Sequence, residues 1–265
     1  MKTTLFIGCG NMGSAMVAGW LLAGEDAAGF IAVRPSGTPV PGIRTVRTVA
    51  EADLIPDRIV LGFKPQQLRH LAPDVARWVT SRTTIISMLA GADMATLQGN
   101  FPRARAVVRV MPNLPVAVRR GVLPLLASDP ADAALQAELQ PWFSMLGFAP
   151  WCATEEEFGS LGFVAGSTPA YVARFIAAFA SAGEGRGLAP DLALTAAREA
   201  VLGSAWLAAS SGEPMAELAQ RVTSPKGTTE AGLKVLDAEL PSLIDRTLAA
   251  ATARSAELAA ETRGS

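Results

Sequence analysis

The tract from Val222 to Gly232 collects hydroxyl side chains, one Pro and one Gly into a single turn, and its sequence is VTSPKGTTEAG. The hydroxyl groups belong to Thr223, Ser224, Thr228 and Thr229. The turn lies between two helical patterns and opens the second, whose first N–H groups have no intrahelical partner and carry partial positive charge. This arrangement predicts a site for a small anion such as a carboxylate or phosphate. The alternative is a structural turn in which Thr228 or Ser224 only caps the helix.

A second chemical motif lies close to the start of the chain. The apolar segment Thr4–Ile7 predicts a strand, and the segment 15–23 predicts a helix. Between them, Gly8, Gly10 and Gly13 form G-x-G-x-x-G. In a strand–turn–helix context these glycines allow a tight turn, close approach of a pyrophosphate, and close packing of the helix on the strand. The residues predicted to bind a dinucleotide here are Gly8, Gly10, Asn11, Met12 and Gly13.

The end of the second predicted strand, Phe30–Val33, indicates which dinucleotide is preferred. An NAD-type site places Asp or Glu there to hold the ribose 2′-hydroxyl. This chain instead has Arg34 and Ser36, and it has no acidic residue between Gly29 and Glu51. Arg34 can pair with a 2′-phosphate and Ser36 can donate to it. The sequence therefore predicts NADPH as the cofactor, with NADH as a weaker substitute, although Arg34 could also be a solvated loop charge.

Charge and cysteine content argue against several other classes of protein. The formal net charge is −1, and no basic run predicts a nucleic-acid or anionic-membrane partner. Cys9 and Cys152 are far apart and predict neither a disulfide nor a metal site. The single histidine, His70, falls in a helical pattern, so a helix-surface or satisfied role is favoured over a catalytic one.

The N-terminal segment has no charge between Lys2 and Glu25, so a signal peptide or a membrane span is an alternative interpretation of it. Three glycines and Asn11 interrupt the apolar core that either would need. We therefore expect a cytoplasmic protein.

Alternating strands and helices in the first half predict a mostly parallel sheet covered on both faces. The further strands are predicted over Arg58–Phe63, Thr84–Leu89, Ala106–Val110, Gly121–Ala127 and Phe148–Trp151, with helices over 67–79 and 131–146. Ligands of such sheets bind beyond the carboxyl ends of the strands. The loops at those ends are Gly8–Gly13, Lys64–Gln66, Ala90–Gly91 and Met111–Asn113.

The pattern changes near Thr154, after which only helices are predicted. They are expected over 169–187, 190–211, 214–222, 229–236 and 241–260. Their surplus of apolar residues is typical of a layer buried against a second subunit. The predicted organisation is a Rossmann-type, doubly wound α/β domain (1–153) followed by an all-α dimerisation and substrate-binding domain (154–265). A homodimer, or a higher homo-oligomer of dimers, is expected.

Six motifs in this order resemble the pyrroline-5-carboxylate reductase family over nearly the whole chain. They are FIGCGNMG (6–13), GFKPQ (62–66), SMLAG (87–91), RVMPN (109–113), AGSTPAY (165–171) and the tract 222–232. The resemblance implies a nucleotide loop at the first motif, loops that flank the nicotinamide at the third and fourth, and a substrate turn at the last. The remaining cofactor residues it implies are Lys64, Pro65, Ala90, Gly91, Met111, Pro112 and Asn113.

Several positions depart from the family pattern, and they lie mostly in motifs assigned to the substrate side. They are Lys226, where Gly is usual, Leu114 for Thr, Ala165 for Ser, Thr168 for Gly, and Gly159, where Asp is common. A Lys at position 226 must either adopt an ordinary φ or accept strain in a left-handed conformation. Its ammonium group could face solvent, which we favour, or fold over the substrate.

The resemblance implies NADPH-dependent reduction of Δ1-pyrroline-5-carboxylate to L-proline by hydride transfer. The substrate carboxylate is expected to be held by Ser224, Lys226, Gly227, Thr228 and Thr229. Thr229 is the candidate catalytic hydroxyl near the imine nitrogen, and a structural cap is its alternative role. Two other functions remain open: reduction of a different cyclic imino acid, with a 2-carboxylate or a six-membered ring, and a non-catalytic NADP-binding regulatory protein.

Overall fold

The computed structural model describes residues 2–130 and 132–264, with no description of the side chains of 255 and 258–264. The chain divides into two compact units, 1–167 together with 252–265, and 168–251.

The first unit is built on a seven-stranded sheet with the strand order β3-β2-β1-β4-β5-β6-β8. The members of this sheet are β1 (Thr4–Ile7), β2 (Phe30–Val33), β3 (Arg44–Val46), β4 (Arg58–Leu61), β5 (Thr84–Ser87), β6 (Ala106–Val110) and β8 (Leu125–Ala127). All neighbours are parallel except β6 and β8. A separate parallel pair joins β7 (Gly121–Val122) to β9 (Gly147–Phe148). The central strands are buried along their whole length, as expected for a parallel sheet with both faces covered.

Helices alternate with the strands as far as β9, and the elements described after β9 are all helices. In chain order they are α1 (Asn11–Leu22), α2 (Leu68–Ala76), α3 (Met94–Asn100), α4 (Ala133–Ser144), α5 (Glu155–Gly166), α6 (Thr168–Glu184), α7 (Pro190–Ser211), α8 (Met215–Arg221) and α9 (Thr228–Gly264). The predicted fold class, a Rossmann-type sheet domain followed by a helical region, is confirmed.

Two apolar clusters lie on the two faces of the sheet and hold α1 and α2 against it. On the first face, the ring of Trp20 in α1 stacks on Trp142 in α4 with centroids 4.0 Å apart. The indole Nε1–H of Trp20 donates to the carbonyl oxygen of Trp142 at 2.9 Å. On the other face, Leu68 and Val75 of α2 pack into a cluster with Ile59 and Ile85. This packing fixes the direction in which α1 presents its N-terminus at the sheet edge.

Several predicted elements need correction. The strand predicted over Gly121–Ala127 is two strands, because Pro124 has no N–H to donate and the two halves pair with different partners. The helices predicted over 229–236 and 241–260 are one helix, α9, with Pro241 inside it. A single Pro removes one hydrogen bond, and the turns on either side continue the helix. Ala131, the predicted start of α4, lies outside the described residues.

Other differences concern length and short elements. The strands predicted over 58–63 and 84–89 end two residues earlier, and the helix predicted over 67–79 narrows to α2 behind a short 3-10 turn, Pro65–Gln67. The strand predicted over Phe148–Trp151 is β9 plus an isolated bridge between Leu125 and Trp151. The elements β3, α3 and α5 were not predicted.

Candidate active site

The first glycine of the fingerprint makes a left-handed turn directly after β1. Gly8 has φ +76, and its N–H donates to the carbonyl oxygen of Val33 at 3.0 Å. A Cβ atom at Gly8 would also lie 3.0 Å from the Cα of Phe63. Both the backbone conformation and the close approach of the next strand therefore require glycine at this position.

The second glycine leaves open space in front of the first helix. Gly10 is the N-cap of α1 and makes no side-chain capping bond. A Cβ atom at Gly10 would have no heavy atom of the protein within 4 Å. The N–H groups of Asn11, Met12 and Gly13 form the first turn of this helix, where no intrahelical acceptor is available. Open space in front of free helix N–H groups is the arrangement that an anion such as a pyrophosphate requires.

Cys9 has a packing role in the glycine loop. It is 1% exposed, and a Cβ atom at Gly13 would lie 3.0 Å from its Sγ. Burial raises the pKa of the Cys9 thiol, and a hydrogen bond with Ser14 and the charge of Arg34 offset only part of that rise. The thiol is therefore protonated at neutral pH, and it fills the space between α1 and β1. Within residues 2–130 and 132–264, no group of three or more His, Cys, Asp or Glu side chains could hold a metal ion.

The end of β4 approaches the glycine loop more closely than the sequence analysis anticipated. The N–H of Gly62 donates to the carbonyl oxygen of Ile7 at 2.9 Å. A Cβ atom at Gly62 would lie only 2.3 Å from the carbonyl oxygen of Gly8. Gly62 is thus a structural part of the nucleotide loop, although it lies outside the G-x-G-x-x-G motif.

A cleft of about 1010 Å³ opens beside this loop at the carboxyl ends of β1, β2 and β4. Gly8, Pro35, Arg47 and Lys64 are among the residues that line it, and Lys64 precedes the short turn that begins at Pro65. Its position beyond the strand ends is where a doubly wound sheet binds a ligand.

Arg34 and Ser36 lie in a turn directly after β2. The turn is closed by a hydrogen bond from the N–H of Gly37 to the carbonyl oxygen of Arg34 at 2.8 Å. Arg34 is half-buried, and its charge acts on Cys9 in the glycine loop. The hydroxyl of Ser36 accepts a hydrogen bond from the N–H of Thr38 and lies 2.9 Å from the hydroxyl of that residue. This pair of hydroxyls is exposed and within reach of a ligand at the end of β2.

The loops after β5 and β6 form the rest of the strand-end edge. Gly91, next to Ala90, has φ +79, and Asp93 caps α3 by accepting the N–H of Thr96 at 2.8 Å. In the second loop the Met111 side chain is packed so closely on α5 that a Cβ atom at Gly162 would lie 2.2 Å from its Sδ. Both loops therefore have fixed shapes.

Asn113 shapes its loop through its side-chain amide. Nδ2 donates to the carbonyl oxygen of Ala165 at 3.0 Å, and Oδ1 accepts the N–H of Val122 at 2.8 Å. The residue is 5% exposed. The Asn113 amide thus binds two backbone segments within the first unit and holds the loop after β6 in place.

An ion pair connects β6 to the start of α5. The Arg109 guanidinium, which lies 4.6 Å from the centre of the Phe158 ring, pairs with one carboxylate oxygen of Glu155. The other Glu155 oxygen accepts the N–H of Met94 at 3.1 Å, at the start of α3. Glu155 therefore links the start of α5 to β6, which precedes the loop 111–113, and to α3, which follows the loop 90–91. This role was not predicted from the sequence.

The turn before α9 belongs to the second unit. The N–H of Gly227 donates to the carbonyl oxygen of Ser224 at 2.9 Å, with Pro225 and Lys226 between them. Lys226 has φ +58, so the left-handed alternative is the one adopted. A four-residue turn with Pro second and a positive φ at the third residue has the form of a type II turn.

Two details of this turn differ from expectation. The N–H of Gly227, expected to bind an anion, is engaged within the turn, so the donors that remain are those of Thr228 and Thr229. The capping group is also different: Glu230 accepts the N–H of Lys226 at 2.5 Å. Within the described part of the chain, neither the Ser224 hydroxyl nor the Thr228 hydroxyl caps α9.

Comparison with known proteins covers both halves of the chain. Residues 155–258 match the family model described as pyrroline-5-carboxylate reductase dimerisation. Residues 3–91 match a model described as NADP oxidoreductase, coenzyme F420-dependent. The pyrroline-5-carboxylate reductase of Pseudomonas aeruginosa is 36% identical over 261 residues, which cover 96% of each chain. This chain belongs to the pyrroline-5-carboxylate reductase family.

Other members of the pyrroline-5-carboxylate reductase family agree with this assignment. The Escherichia coli enzyme is 32% identical over 242 residues, 88% of each chain. The solved structure of a pyrroline-5-carboxylate reductase from Coxiella burnetii has a TM-score of 0.87 at 28% identity, and covers 97% of this chain and 98% of that chain. A pyrroline carboxylate reductase from Plasmodium falciparum, solved with NADP bound, shares the fold with a TM-score of 0.81 at 23% identity, and covers 98% of each chain. The resemblance drawn from the six motifs is confirmed.

Proposed function

We propose that this protein reduces Δ1-pyrroline-5-carboxylate to L-proline with NADPH. The observation that carries the proposal is the end-to-end match to a pyrroline-5-carboxylate reductase, 96% of each chain at 36% identity. It includes both the glycine loop with its open space at Gly10 and the turn before α9. A regulatory protein that had lost catalysis would have no need to keep Ser224, Thr228 and Thr229 together, and all three are present.

Bound NADPH supplies the hydride that reduces the C=N bond. The protein contributes the residues that hold the cofactor: α1 presents its N-terminus to the pyrophosphate, and Arg34 and Ser36 face the 2′-phosphate at the end of β2. Because the site is built for a dinucleotide with a 2′-phosphate, NADH is expected to bind more weakly. The loops 90–91 and 111–113 are held in fixed shapes by Glu155 and Asn113 and support the nicotinamide side.

The substrate carboxylate is assigned to the turn before α9. The first N–H groups of this helix, those of Thr228 and Thr229, are available because α9 offers them no acceptor. The exposed Ser224 hydroxyl adds a third donor. Capture of the carboxylate there would hold the imine ring in one orientation, and holding reactants in a reactive geometry is itself a large part of catalysis. Thr229 is the hydroxyl assigned to the imine nitrogen.

The test of this function is turnover with a panel of cyclic imines. Purified protein is supplied with NADPH and, separately, with pyrroline-5-carboxylate, pyrroline-2-carboxylate and a six-membered piperideine carboxylate. We expect the highest kcat/KM with pyrroline-5-carboxylate. A higher kcat/KM with either other ring would assign this chain a different imino acid, and NADPH binding without turnover of any imine would support the non-catalytic alternative.

Lys226 is proposed to face solvent, and replacing it with glycine tests this. The Lys226 side chain is exposed, and its left-handed backbone carries strain of about 1 kcal/mol that glycine would not have. We expect Lys226→Gly to leave kcat/KM for pyrroline-5-carboxylate within a few-fold of the parent. A loss of about a hundredfold, or roughly 2.7 kcal/mol of transition-state stabilisation, would instead make Lys226 a substrate ligand.

We propose that the helical part forms a homodimer, which pairs of dimers could extend to a larger oligomer. Its helices carry large apolar side chains that are each at least 39% exposed, among them Val172, Phe175, Phe179, Leu192, Leu202, Trp206, Leu207, Leu243 and Ile244. Large apolar side chains exposed in this number are typical of a subunit interface. The stretch Glu155–Glu184 is long and apolar enough by composition to cross a membrane, and 11% of its most apolar window is buried. An uncovered subunit interface also exposes apolar helical surface in this way.

Trp206, which is 59% exposed on α7, gives a test of the dimer. Trp206→Arg places a charge in the proposed interface, where an unpaired buried charge is strongly unfavourable. We expect the variant to be monomeric by light scattering and to lose turnover. The control is Leu22→Arg, at an apolar residue that is 64% exposed on the first unit and should stay dimeric. A parent protein that is monomeric and fully active would contradict the proposal.

We place the boundary between the dinucleotide-binding domain and the dimerisation domain at 153/154, since the match to the dimerisation model begins at residue 155. The helix α5 nevertheless clusters with the sheet unit, because Phe158 packs with Leu126 and Cys152.

The cysteines Cys9 and Cys152 are both free and buried, which suits a reducing cytoplasm.

A further inference from the structure

Arg34 has a cationic neighbour on the next strand. The strands β2 and β3 are parallel, and Val33 is in register with Val46. The N–H of Arg34 donates to the carbonyl oxygen of Val46 at 2.8 Å. Arg34 and Arg47 are the residues that follow this registered pair, so they emerge side by side at the carboxyl ends of two strands about 4.8 Å apart.

The Arg47 side chain is directed across the turn that follows β2. A Cβ atom at Gly37, which has φ +70, would lie 2.9 Å from an Nη atom of Arg47. The guanidinium therefore lies against the turn that contains Arg34 and Ser36. Arg47 is also a lining residue of the cleft that Gly8 and Lys64 border, and its side chain is exposed. It thus faces the space next to the glycine loop.

The nearest acidic side chain, Glu51, forms no ion pair with these arginines, although the backbone N–H of Arg47 and, to a smaller extent, the charge of Arg47 contribute to lowering the pKa of Glu51. One Glu51 oxygen accepts the backbone N–H of Arg47 at 3.0 Å, and the other accepts the Thr48 hydroxyl at 3.0 Å. Within residues 2–130 and 132–264, neither Arg34 nor Arg47 has a carboxylate within ion-pair distance. Like charges directly opposite each other on neighbouring strands are destabilising, and an anion between them would remove that cost.

We propose that Arg47 is a second ligand of the NADPH 2′-phosphate and shares that phosphate with Arg34. With the pyrophosphate at the N-terminus of α1, the adenosine ribose lies at the end of β2, and Arg34 and Arg47 both follow the registered ends of β2 and β3 there. A phosphate offers three acceptor oxygens, enough for the forked donors of both arginines. The inference rests on the proposed NADPH site and adds a residue that determines the preference for NADPH over NADH.

Arg47 has one competing role in the same cleft, because a guanidinium can also stack on the face of adenine. The two roles separate by choice of ligand. Adenosine 2′,5′-bisphosphate carries the 2′-phosphate, whereas 5′-AMP has the same adenine and 5′-phosphate without it. Stacking of Arg47 on adenine would raise the affinity for both nucleotides equally, whereas a contact with the 2′-phosphate raises the affinity for the bisphosphate alone.

The experiment measures the Kd of each nucleotide by calorimetry on the full-length protein, in the absence of an imine. The variants are Arg34→Gln, Arg47→Gln and the double variant. The control is Arg82→Gln, since Arg82 is exposed and lies at the amino end of β5, whereas Arg34 and Arg47 follow the carboxyl ends of their strands. We expect each single change at 34 or 47 to raise the Kd of the bisphosphate about tenfold, the scale of one charge-assisted hydrogen bond. The Kd of 5′-AMP should stay within about twofold and the control should match the parent.

Arg47→Gln should fold, because Glu51 keeps its hydrogen bonds with the backbone N–H of residue 47 and with the Thr48 hydroxyl. An unchanged unfolding midpoint checks this, and Arg47→Lys, which keeps the charge without the fork, should bind the bisphosphate between parent and Arg47→Gln. An unchanged Kd in Arg47→Gln, or an equal loss for both nucleotides, would overturn the inference while leaving the NADPH site intact. A parent protein that binds the two nucleotides equally would overturn both.

Discussion

Gly10→Ala is expected to weaken NADPH binding without changing the stability of the protein. A Cβ atom at this position meets no protein atom within 4 Å, and the φ of −80 and extended ψ of Gly10 suit alanine. The added methyl group would instead occupy the space in which a pyrophosphate approaches the backbone. A clash of this kind costs about 1–3 kcal/mol, so NADPH affinity should fall roughly tenfold to a hundredfold.

Gly62→Ala is the informative counterpart, because its Cβ atom would lie 2.3 Å from the backbone oxygen of Gly8. That contact forces the glycine loop to move, so both the unfolding midpoint and NADPH affinity should fall. Gly99→Ala, on α3 with open space around its Cβ, should leave NADPH affinity unchanged and should not lower the unfolding midpoint, since alanine is favoured over glycine within a helix. Fluorescence titration and thermal unfolding measure the two quantities. Equal NADPH affinity in parent and Gly10→Ala would show that the dinucleotide does not cross this loop.

Thr229→Ala is expected to lower kcat with pyrroline-5-carboxylate by about a hundredfold or more, the scale of a positioned proton donor. Thr229 is the second residue of α9 and is exposed. Thr229→Ser keeps the hydroxyl and should retain most of kcat. KM should change less than kcat, because the backbone N–H that binds the carboxylate remains in both variants.

The neighbouring hydroxyl provides the control for this prediction. Thr228→Ala removes a hydroxyl from the same helical turn, and we expect it to raise KM with little effect on kcat. Unfolding curves of all three variants separate catalysis from helix capping. If Thr229→Ala lost stability and kept kcat, the hydroxyl would be structural and the proton would have another source.

The cofactor side of the site was largely predictable, because its chemistry is local in sequence. Gly8, Gly10 and Gly13 lie within six residues, directly between a buried strand and an apolar helix. Their conformational and packing roles follow from φ and close approach alone. The carboxyl ends of β4, β5 and β6 could be placed in the same way. A parallel sheet brings such ends together whatever the side chains are.

Arg47 and Glu155 could not be found by the same reasoning, because their roles depend on partners distant in sequence. Glu155 contacts residues 61 and 46 positions away. Arg47 becomes a neighbour of Arg34 only through the pairing of β3, a three-residue strand with one buried position. A segment so short and exposed has no apolar run from which a strand can be predicted. Without that strand, Arg47 cannot be told from any other charged residue in a loop.

The limits of periodicity appear also in the helical part. Proline at position 241 indicated a helix start, since proline favours the first turn, and the long α9 tolerates it in its interior instead. The short α3 contains Gly99 and offers too few residues for a clear pattern. The side chain of Thr154 caps α5 by accepting the N–H of Glu157. This capping residue is a sequence signal for the start of α5, a helix that was not predicted.

The exposed, left-handed Lys226 also makes the substrate turn sensitive to a protease. Trypsin cuts after lysine, and exposed turns are preferred sites of proteolytic cleavage, so the peptide bond between Lys226 and Gly227 is a natural target. A cut there severs the chain immediately before α9. A carboxylate held by Ser224 and the first N–H groups of that helix would cover this bond. The rate of cleavage at this one bond therefore measures whether a ligand occupies the turn, even when no imine is reduced. A chain with glycine at position 226 has no trypsin site there and does not allow this measurement.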